Sequence, residues 1–382
     1  RLRWVGVCLA AALETLVLAA DEVIGLPELA VRAAGMDEPV APGGGSNLAG
    51  ALWAPEVRLA PQGSGAQADL SIRGSPFSGA GLAVGGLSLR HPQTEHFNAE
   101  LPLPLELFAA PRVVTGLEQP HVATGHLVGS VAAEFAPVAD TTQAVLGLSE
   151  AGGHEERLFV ARAFADTSWG ASVFGGNADM PGRDYAHNAA ETRAGGLHLQ
   201  YRRAEDQVDT AAAVQDRSFG ARGFYGVSPT LLSEEETLDM LWLSTWRHEL
   251  PNPGDSTRIG AFSERFRDEY ILNDLAPDAY RNEHCTWATA AAADGRLSNG
   301  QGSGAAWRAF VEDERIASEG LVRGSATAGL GEHTRQRFGL MLLPFQEIGP
   351  LTLEAGGQAV FFTTDAPAPL ALAGIRWAIS AA

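Results

Sequence analysis

The chain has 382 residues, a formal net charge of −19 and a mean hydropathy close to zero, and all of its positive side chains are arginine. Because an acidic surface of this size repels a phosphate backbone, the composition excludes a nucleic-acid-binding protein. After the first twenty residues no apolar run is long enough for a membrane helix, which argues against a helical membrane protein. The composition is still compatible with a membrane protein built from strands, because alternating strands average to a neutral hydropathy.

Residues 1–20 have the pattern of a secretory signal peptide. Two arginines give a positive start, residues 4–13 are apolar, and residues 17–20 supply small side chains before a cleavage site. Glu14 is a charge inside this pattern, so a buried N-terminal helix is the alternative. We predict a signal peptide.

Residues 21–42 contain a short extended segment, Glu28-Leu29-Ala30-Val31. Such a segment can bind another protein by strand addition, in which backbone hydrogen bonds give affinity and alternate side chains such as Leu29 and Val31 give register. A plain extended linker is the alternative for so short a motif.

Residues 69–98 form the most informative stretch of the chain. Leu70 and Ile72 alternate with polar residues, which is typical of a half-buried strand. Glycines punctuate the following turn, and apolar positions resume on both sides of Gly85 and Gly86. The pattern predicts three short strands separated by glycine-containing turns.

Further short elements surround this stretch between residues 43 and 137. A glycine break precedes a helix of one to two turns at residues 46–53, and a Pro-Glu-Val segment follows it. Strand-like segments follow at residues 101–105, 112–116 and 125–135. Taken in order, the elements resemble the plug domain of the TonB-dependent outer-membrane receptors, in which an Ile-Arg-Gly strand precedes a glycine hairpin. The residues that match this core motif are Ile72, Arg73, Gly74, Gly85 and Gly86.

The resemblance implies a plug domain at residues 43–137 and a preceding TonB box, which binds a TonB-type energy-coupling protein. The box residues are Glu28, Leu29, Ala30 and Val31. Arg73 is expected to be buried and to pair with carboxylates of the barrel lumen, because arginine makes bidentate contacts with carboxylates. A surface arginine on an edge strand is the alternative.

Two plug loops, residues 75–80 and 90–98, are expected to face the outside and to contact substrate. The candidate contact residues are Phe77, Arg90, His91, Gln93, His96 and Asn98. The hairpin departs from the family pattern, because Gly85 replaces an aspartate and Arg90-His91 replaces Asn-Asp before the proline. The motif therefore assigns no particular substrate.

Residues 138–382 alternate between apolar and polar side chains in segments of about ten residues, which is typical of an outer-membrane barrel with apolar side chains outside. The alternation predicts about twelve antiparallel transmembrane strands. Plugged transporter barrels have about 22 strands, so we expect an incomplete barrel and a truncated sequence. The long polar segments 177–192 and 219–233 are expected to be extracellular loops. A soluble all-β propeller or sandwich is the alternative.

No grouping of residues predicts catalysis, a cofactor or a metal site. His284 and Cys285 are adjacent on a predicted strand and so point to opposite faces. The acidic runs at residues 233–236 and 312–314 lack calcium-loop spacing and are expected to be solvated loops.

The sequence thus predicts a mostly β protein, with a small α+β plug followed by barrel strands. The expected function is that of a Gram-negative outer-membrane receptor, surrounded by lipid, for a scarce nutrient such as a metal-siderophore or cobalamin. A soluble or secreted all-β ligand-binding protein without energy coupling is the alternative.

Overall fold

The computed structural model describes residues 56–61, 66–148, 152–165, 167–182, 187–363 and 368–377. The predicted signal peptide, the TonB box and the helix at residues 46–53 lie outside these residues. Within the described ranges, no helix is long and apolar enough to cross a membrane.

The first part of the described chain is a small domain of six short strands, called the plug below. Strands β1 and β2 pair with each other, and the other four form a sheet in the order β4-β3-β6-β5, in which β3 and β6 are parallel. One turn of helix, α1 (Gln119–Val122), lies between β5 and β6. The strands are β1 Val57–Pro61, β2 Ala68–Ile72, β3 Ala80–Val84, β4 Leu87–Leu89, β5 Arg112–Thr115 and β6 Gly129–Ala133.

The glycine-punctuated stretch folds as the sequence predicts, with β2, β3 and β4 at the expected places. Gly85 and Gly86 form the turn between β3 and β4 with φ values of 54° and 82°, a backbone conformation that favours glycine. The strand expected at residues 101–105 is wrong. Two of these five residues are prolines, which lack a backbone donor, and only a 3₁₀ turn at Leu105–Leu107 forms there.

The second part of the chain is one antiparallel sheet of twelve strands, called the wall below, and this confirms the predicted number. Each strand pairs with its sequence neighbours. Among the described residues β7 and β18 are the two edges, so they do not pair with each other. The strands are β7 Thr141–Leu148, β8 His154–Ala163, β9 Trp169–Met180, β10 Ala190–Arg203, β11 Asp206–Gly220, β12 Glu234–Glu249, β13 Ser256–Ile271, β14 Tyr280–Ser298, β15 Ser303–Val322, β16 Ser325–Ile348, β17 Leu351–Phe362 and β18 Ala368–Trp377.

The connections between wall strands differ at the two ends of the sheet. One end, the short-turn end, carries brief turns such as residues 204–205 and 349–350. At the opposite, long-loop end the described connecting residues are 181–182 with 187–189, 221–233 and 272–279. The two predicted long loops are therefore present in shorter form, because the wall strands extend into both segments.

The two faces of the wall have the reverse polarity of a sheet in a soluble protein. Apolar side chains cover its outer, exposed face, and many polar side chains are buried on its inner face. On β16, Phe338, Leu340 and Leu342 point away from the plug and are 51%, 59% and 55% exposed. On the other face Arg337 and Met341 are buried. The same alternation recurs along the wall. Exposed apolar side chains on other strands include Leu197, Leu199, Met240, Trp242, Ile259, Val311 and Leu353, and buried polar ones include His198, Gln200, Asp239, Arg258, Glu312 and Glu354.

The wall curves around the plug, because plug residues contact strands that lie far apart in the sheet. Nε2 of Gln200 on β10 donates to the backbone carbonyl of Ala136 of the plug, at 2.9 Å. The plug residue Leu117 packs close to Gly374 on β18. Apolar side chains of the two parts also share one core, which includes Ile72 and Leu82 of the plug and Phe262 of the wall. The plug therefore depends on the wall for part of its hydrophobic burial.

Candidate functional site

The Gly85-Gly86 hairpin fits closely against charged residues of the wall. A Cβ atom on Gly86 would lie 2.7 Å from Oδ2 of Asp294 and 2.9 Å from Nε of Arg258. A Cβ atom on Gly85 would lie 2.7 Å from the methyl carbon of Thr245. The carbonyl of Gly86 also accepts a hydrogen bond from Nη2 of Arg308, at 2.9 Å. Both glycines are thus required by close contact as well as by backbone conformation.

A buried group of charges surrounds this hairpin contact. Asp294 lies 2.7 Å from Nη2 of Arg258 and 3.3 Å from Nη1 of Arg308. Arg258 also pairs with Glu134 of the plug. A buried charge is tolerated only when an opposite charge lies beside it. Here a carboxylate of the plug and charged side chains of the wall neutralise one another.

A second group of buried charges centres on Arg90 of the plug. Its Nη2 donates to Oε1 of Glu314 on β15 at 3.0 Å, and its Nη1 lies 3.3 Å from Glu95. Glu314 also pairs with Arg335 at 2.5 Å, and Arg337 pairs with Glu312 at 2.6 Å. The acidic run at residues 312–314 is therefore part of a buried ion-pair network on β15, and its interpretation as a solvated loop is wrong. The run at residues 233–236 likewise lies mainly in β12, with Glu235 buried.

An aromatic cluster joins the plug to the long-loop end of the wall. The rings of Phe77 and His96 stack at a centroid distance of 3.8 Å, and Tyr225 of the loop 221–233 lies 5.6 Å from His96. Nδ1 of His96 lies 2.6 Å from Oδ1 of Asp69. Tyr225 donates to Glu235 at 2.8 Å. Aromatic faces next to hydrogen-bonding groups are typical of sites for small organic ligands.

The remaining predicted contact residues hold the plug in place. Asn98 donates to the carbonyl of Ala80 at 3.2 Å and accepts from the backbone N–H of His91 at 3.3 Å. Gln93 donates to Asp268 of the wall at 2.7 Å. Arg90, His91 and Asn98 are only 8%, 4% and 3% exposed. For these three residues the structure corrects the expectation of a free outward surface, because wall and plug enclose them.

Among the residues that the structure describes, two buried plug histidines have no acidic partner that would stabilise their cationic forms. Burial lowers the pKa of His91 to about 4. Burial, together with the nearby guanidinium groups of Arg90 and Arg337, lowers the pKa of His126 to about 3. Nδ1 of His126 lies 2.9 Å from Oγ of Ser130. Both rings are therefore neutral at pH 7.

Arg73 is placed differently from the preferred prediction. It is exposed, has a φ of 53°, and forms no ion pair with any residue in the described ranges. The turn is closed by a hydrogen bond from the backbone N–H of Ser75 to the carbonyl of Ile72, at 3.0 Å. Arg73 is thus exposed, as the alternative had it, but it lies in the turn after β2 and not on an edge strand. Ile72 is fully buried, and Gly74, with φ of 75°, faces open space.

Sequence reasoning missed the wall residues that hold the plug, namely Arg258, Asp294, Arg308, Glu312, Glu314 and Arg337. The available signal was their position on the polar face of the alternating strands. His284 and Cys285 do lie in β14 with His284 buried and Cys285 half-buried, which agrees with opposite faces.

A polar cavity of about 660 Å³ lies between the plug and the wall near the short-turn end. Plug residues from β5 to α1 form one side, and Arg258, Asp294 and Glu354 contribute to the other. The plug therefore does not fill the space that the wall encloses in this region.

No protein-family model matches the sequence, and no curated protein matches it. Solved structures do match. The siderophore receptor PirA from Acinetobacter baumannii superposes with a TM-score of 0.62 at 10% identity, over 86% of this chain and 55% of that one. The Pseudomonas aeruginosa receptor FpvA, solved with pyoverdines, gives a TM-score of 0.61 at 10% identity, over 86% of this chain and 52% of that one.

The copper transporter OprC also matches, with a TM-score of 0.61 at 12% identity, over 80% of this chain and 50% of that one. The chain thus spans about half the length of the receptors that it resembles. These proteins are receptors and transporters rather than enzymes. The chain has the fold of the TonB-dependent receptors, with a plug domain seated against the inner face of an antiparallel β-barrel wall.

Proposed function

We propose that this chain acts in an energy-coupled outer-membrane receptor for a scarce nutrient carried as a small molecule or metal chelate. The observation that supports this most is the inverted polarity of the wall, which exposes apolar side chains outside and encloses charged ones around a plug. Exposed apolar area on this scale suits lipid, because a monomeric soluble protein rarely exposes large contiguous apolar patches. It disfavours the soluble all-β alternative.

In this proposal the long-loop end faces the outside of the cell. Phe77, His96 and Tyr225 would form the first contact surface for substrate, with the loops nearby. The solved receptors that bind pyoverdine, and the copper transporter, indicate metal or metal-chelate cargo as the class to test first. The polar cavity near the short-turn end would give the cargo room beside the plug once the plug contacts rearrange.

Energy coupling would act through the TonB box at Glu28, Leu29, Ala30 and Val31, by strand addition to a TonB-type protein. A force on this segment would have to loosen the buried pairs between plug and wall, because these pairs join the two parts. The ion pairs that cross directly from plug to wall include Arg90 with Glu314, Glu134 with Arg258 and Glu100 with Arg217.

Cell fractionation tests the placement of the chain. We expect the chain, expressed with a signal peptide in a Gram-negative host, to sediment with the outer membrane and to need detergent for extraction. Recovery as a freely soluble periplasmic protein would contradict the proposal.

A substitution in the box tests coupling separately. Ala30→Pro removes a backbone donor from the docking strand, so a receptor that contains this chain should lose uptake and keep substrate binding. Ala41→Pro, in the predicted linker beyond the segment that resembles the box, is the control and should retain most uptake. Unchanged uptake with Ala30→Pro would rule out the box assignment.

A further inference from the structure

Three loops at the long-loop end bring together three side chains that are far apart in the sequence. His187 lies in the connection from β9 to β10, Glu234 begins β12, and Asp274 follows β13. One potential ligand atom from each residue lies within 4.8 Å of the other two. Small side-chain rotations would bring these atoms to the separation of about 3.4 Å expected of ligands on one tetrahedral ion with bonds of about 2.1 Å.

The backbone around this cluster is fixed by hydrogen bonds between the loops. Gly220 donates to the carbonyl of Ala189 at 2.9 Å, and Ala221 donates to the carbonyl of Ser233 at 2.8 Å. The backbone N–H of Asp274 itself donates to the carbonyl of Leu232 at 2.8 Å. Each of the three residues therefore lies within two residues of a backbone hydrogen bond that joins two chain segments at this end. Such preorganisation lowers the cost of assembling a metal site.

The position of His187 gives a second, independent indication of a ligand. Its φ of 70° lies in the left-handed region, which side chains other than glycine rarely adopt. Among the described residues, its buried Nε2 atom has no hydrogen-bond partner. A Cβ atom on Gly220 would lie 2.2 Å from the carbonyl oxygen of His187, so the neighbouring chain passes as closely as glycine allows. The ring thus has an unpartnered nitrogen, and one of its two nitrogens lies within 4.8 Å of a carboxylate oxygen of Glu234 and of Asp274.

We propose that His187, Glu234 and Asp274 bind a divalent first-row transition-metal ion of the Zn²⁺ class, which fastens the three loops to one another. One imidazole nitrogen with two carboxylate oxygens suits such an ion. Ca²⁺ takes six to eight oxygen ligands and is disfavoured by the imidazole. Asp274 is exposed, so an ion bound here keeps a coordination position for water or for a donor atom of an incoming molecule.

This site is formed by two loop residues and the first residue of β12, outside the plug contacts described above, and it does not depend on the proposed receptor function. An ion bound by the folded loops and not by the unfolded chain would stabilise the loop arrangement by mass action. It would also place a positive charge at the long-loop end of an acidic protein.

The test is a calorimetric titration of Zn²⁺ into the full chain purified in detergent and stripped with a chelator. We expect one ion per chain at this site, and a loss of affinity of at least tenfold in His187→Ala and in Asp274→Asn. His333→Ala and Glu319→Gln are matched controls, because both residues are exposed on the wall outside the cluster, and both should bind Zn²⁺ as the parent does.

Circular dichroism establishes that each variant keeps its strand content before its affinity is compared. Gly220→Ala offers a variant that retains all three ligands, and it should also weaken Zn²⁺ binding because it displaces His187. Equal Zn²⁺ affinity in the parent and in the folded His187→Ala variant would overturn the proposal. A parent that binds Ca²⁺ more tightly than Zn²⁺ would overturn the assigned metal class.

Discussion

At the scale of single residues, Arg90 connects the plug to the wall through an ion pair that is almost completely buried. Glu314 is its partner across the interface, and Arg335 and Arg337 approach the same carboxylate. Removing one member of a buried pair leaves an uncompensated charge, which costs about 3–5 kcal/mol. Removing both members avoids that penalty.

A double-mutant cycle with Arg90→Met and Glu314→Gln tests this pair. We expect each single variant to destabilise the protein by about 3 kcal/mol and the double variant to lose clearly less than the sum. Asp313→Asn is the control, because its pair with Arg315 lies on the exposed face of the same strand and should be worth under about 1 kcal/mol. Denaturant unfolding in detergent supplies the free energies. Additive losses would show that Arg90 and Glu314 do not interact.

Sequence reasoning identified Arg90 as a residue of interest but gave it a different role. The alternation on β15 places Glu312 and Glu314 on the polar face, and this much can be seen in the sequence. Their partners cannot be seen, because the pairing depends on which plug loop meets which wall strand. Arg73 shows the same limit. The sequence contains the Ile-Arg-Gly motif, but the arginine side chain is exposed where we expected it to be buried.

At the scale of elements, the β3–β4 hairpin is the plug segment that fits most closely against the wall. Gly74 and Gly86 have similar backbone conformations, with φ of 75° and 82°. A Cβ atom on Gly74 meets open space, whereas one on Gly86 meets Asp294 and Arg258. A comparison of substitutions at these two positions therefore separates the effect of backbone strain from the effect of steric contact with the wall.

The comparison of Gly86→Ala with Gly74→Ala tests the fit of the hairpin. Both variants carry the cost of a positive φ, and Gly86→Ala should lose about 1–3 kcal/mol more because the added methyl group overpacks the interface. Thermal unfolding and the rate of proteolysis within the plug are the measurements. Equal losses in the two variants would mean that the hairpin does not contact the wall closely.

The elements were the most predictable part of the fold. Period-2 alternation is a local property, so all twelve wall strands and the three strands of residues 69–98 follow from the sequence. The segment at residues 101–105 failed because apolar residues at alternate positions suggested a strand while the intervening prolines removed its hydrogen bonds. His187, Glu234 and Asp274 could not be predicted as a group, because only the fold of three loops brings them together.

At the scale of the whole molecule, plug and wall share both a hydrophobic core and buried charges, so their stability should respond to pH as one unit. His91 and His126 have pKa values lowered to about 4 and about 3. In the unfolded chain both groups would titrate near 6.5, so between these values the unfolded state binds more protons than the folded state. The stability that these two histidines contribute is therefore fully present above about pH 6.5 and falls as the pH drops toward 4.

We expect each histidine to contribute on the order of 3 kcal/mol to this acid sensitivity. Replacing His91 by leucine should flatten the dependence of the melting temperature on pH between 7 and 4. His333→Leu, at an exposed position, should leave the slope unchanged. Carboxylates also titrate in this range, so the quantity to compare is the difference in slope between each variant and the parent protein. A steeper slope in the His91 variant would contradict the assignment.

The central claim concerns the face that the wall presents to its surroundings, and site-directed spin labelling tests it most directly. In a background without the two native cysteines, Cys8→Ser with Cys285→Ser, single cysteines are placed in turn at positions 336–343 of β16 and labelled in lipid bilayers. We predict that labels at positions 338, 340 and 342 collide with oxygen dissolved in the lipid and are shielded from a water-soluble nickel chelate, while labels at 337 and 341 contact neither freely. Equal access of the nickel chelate to positions 338, 340 and 342 would contradict the account.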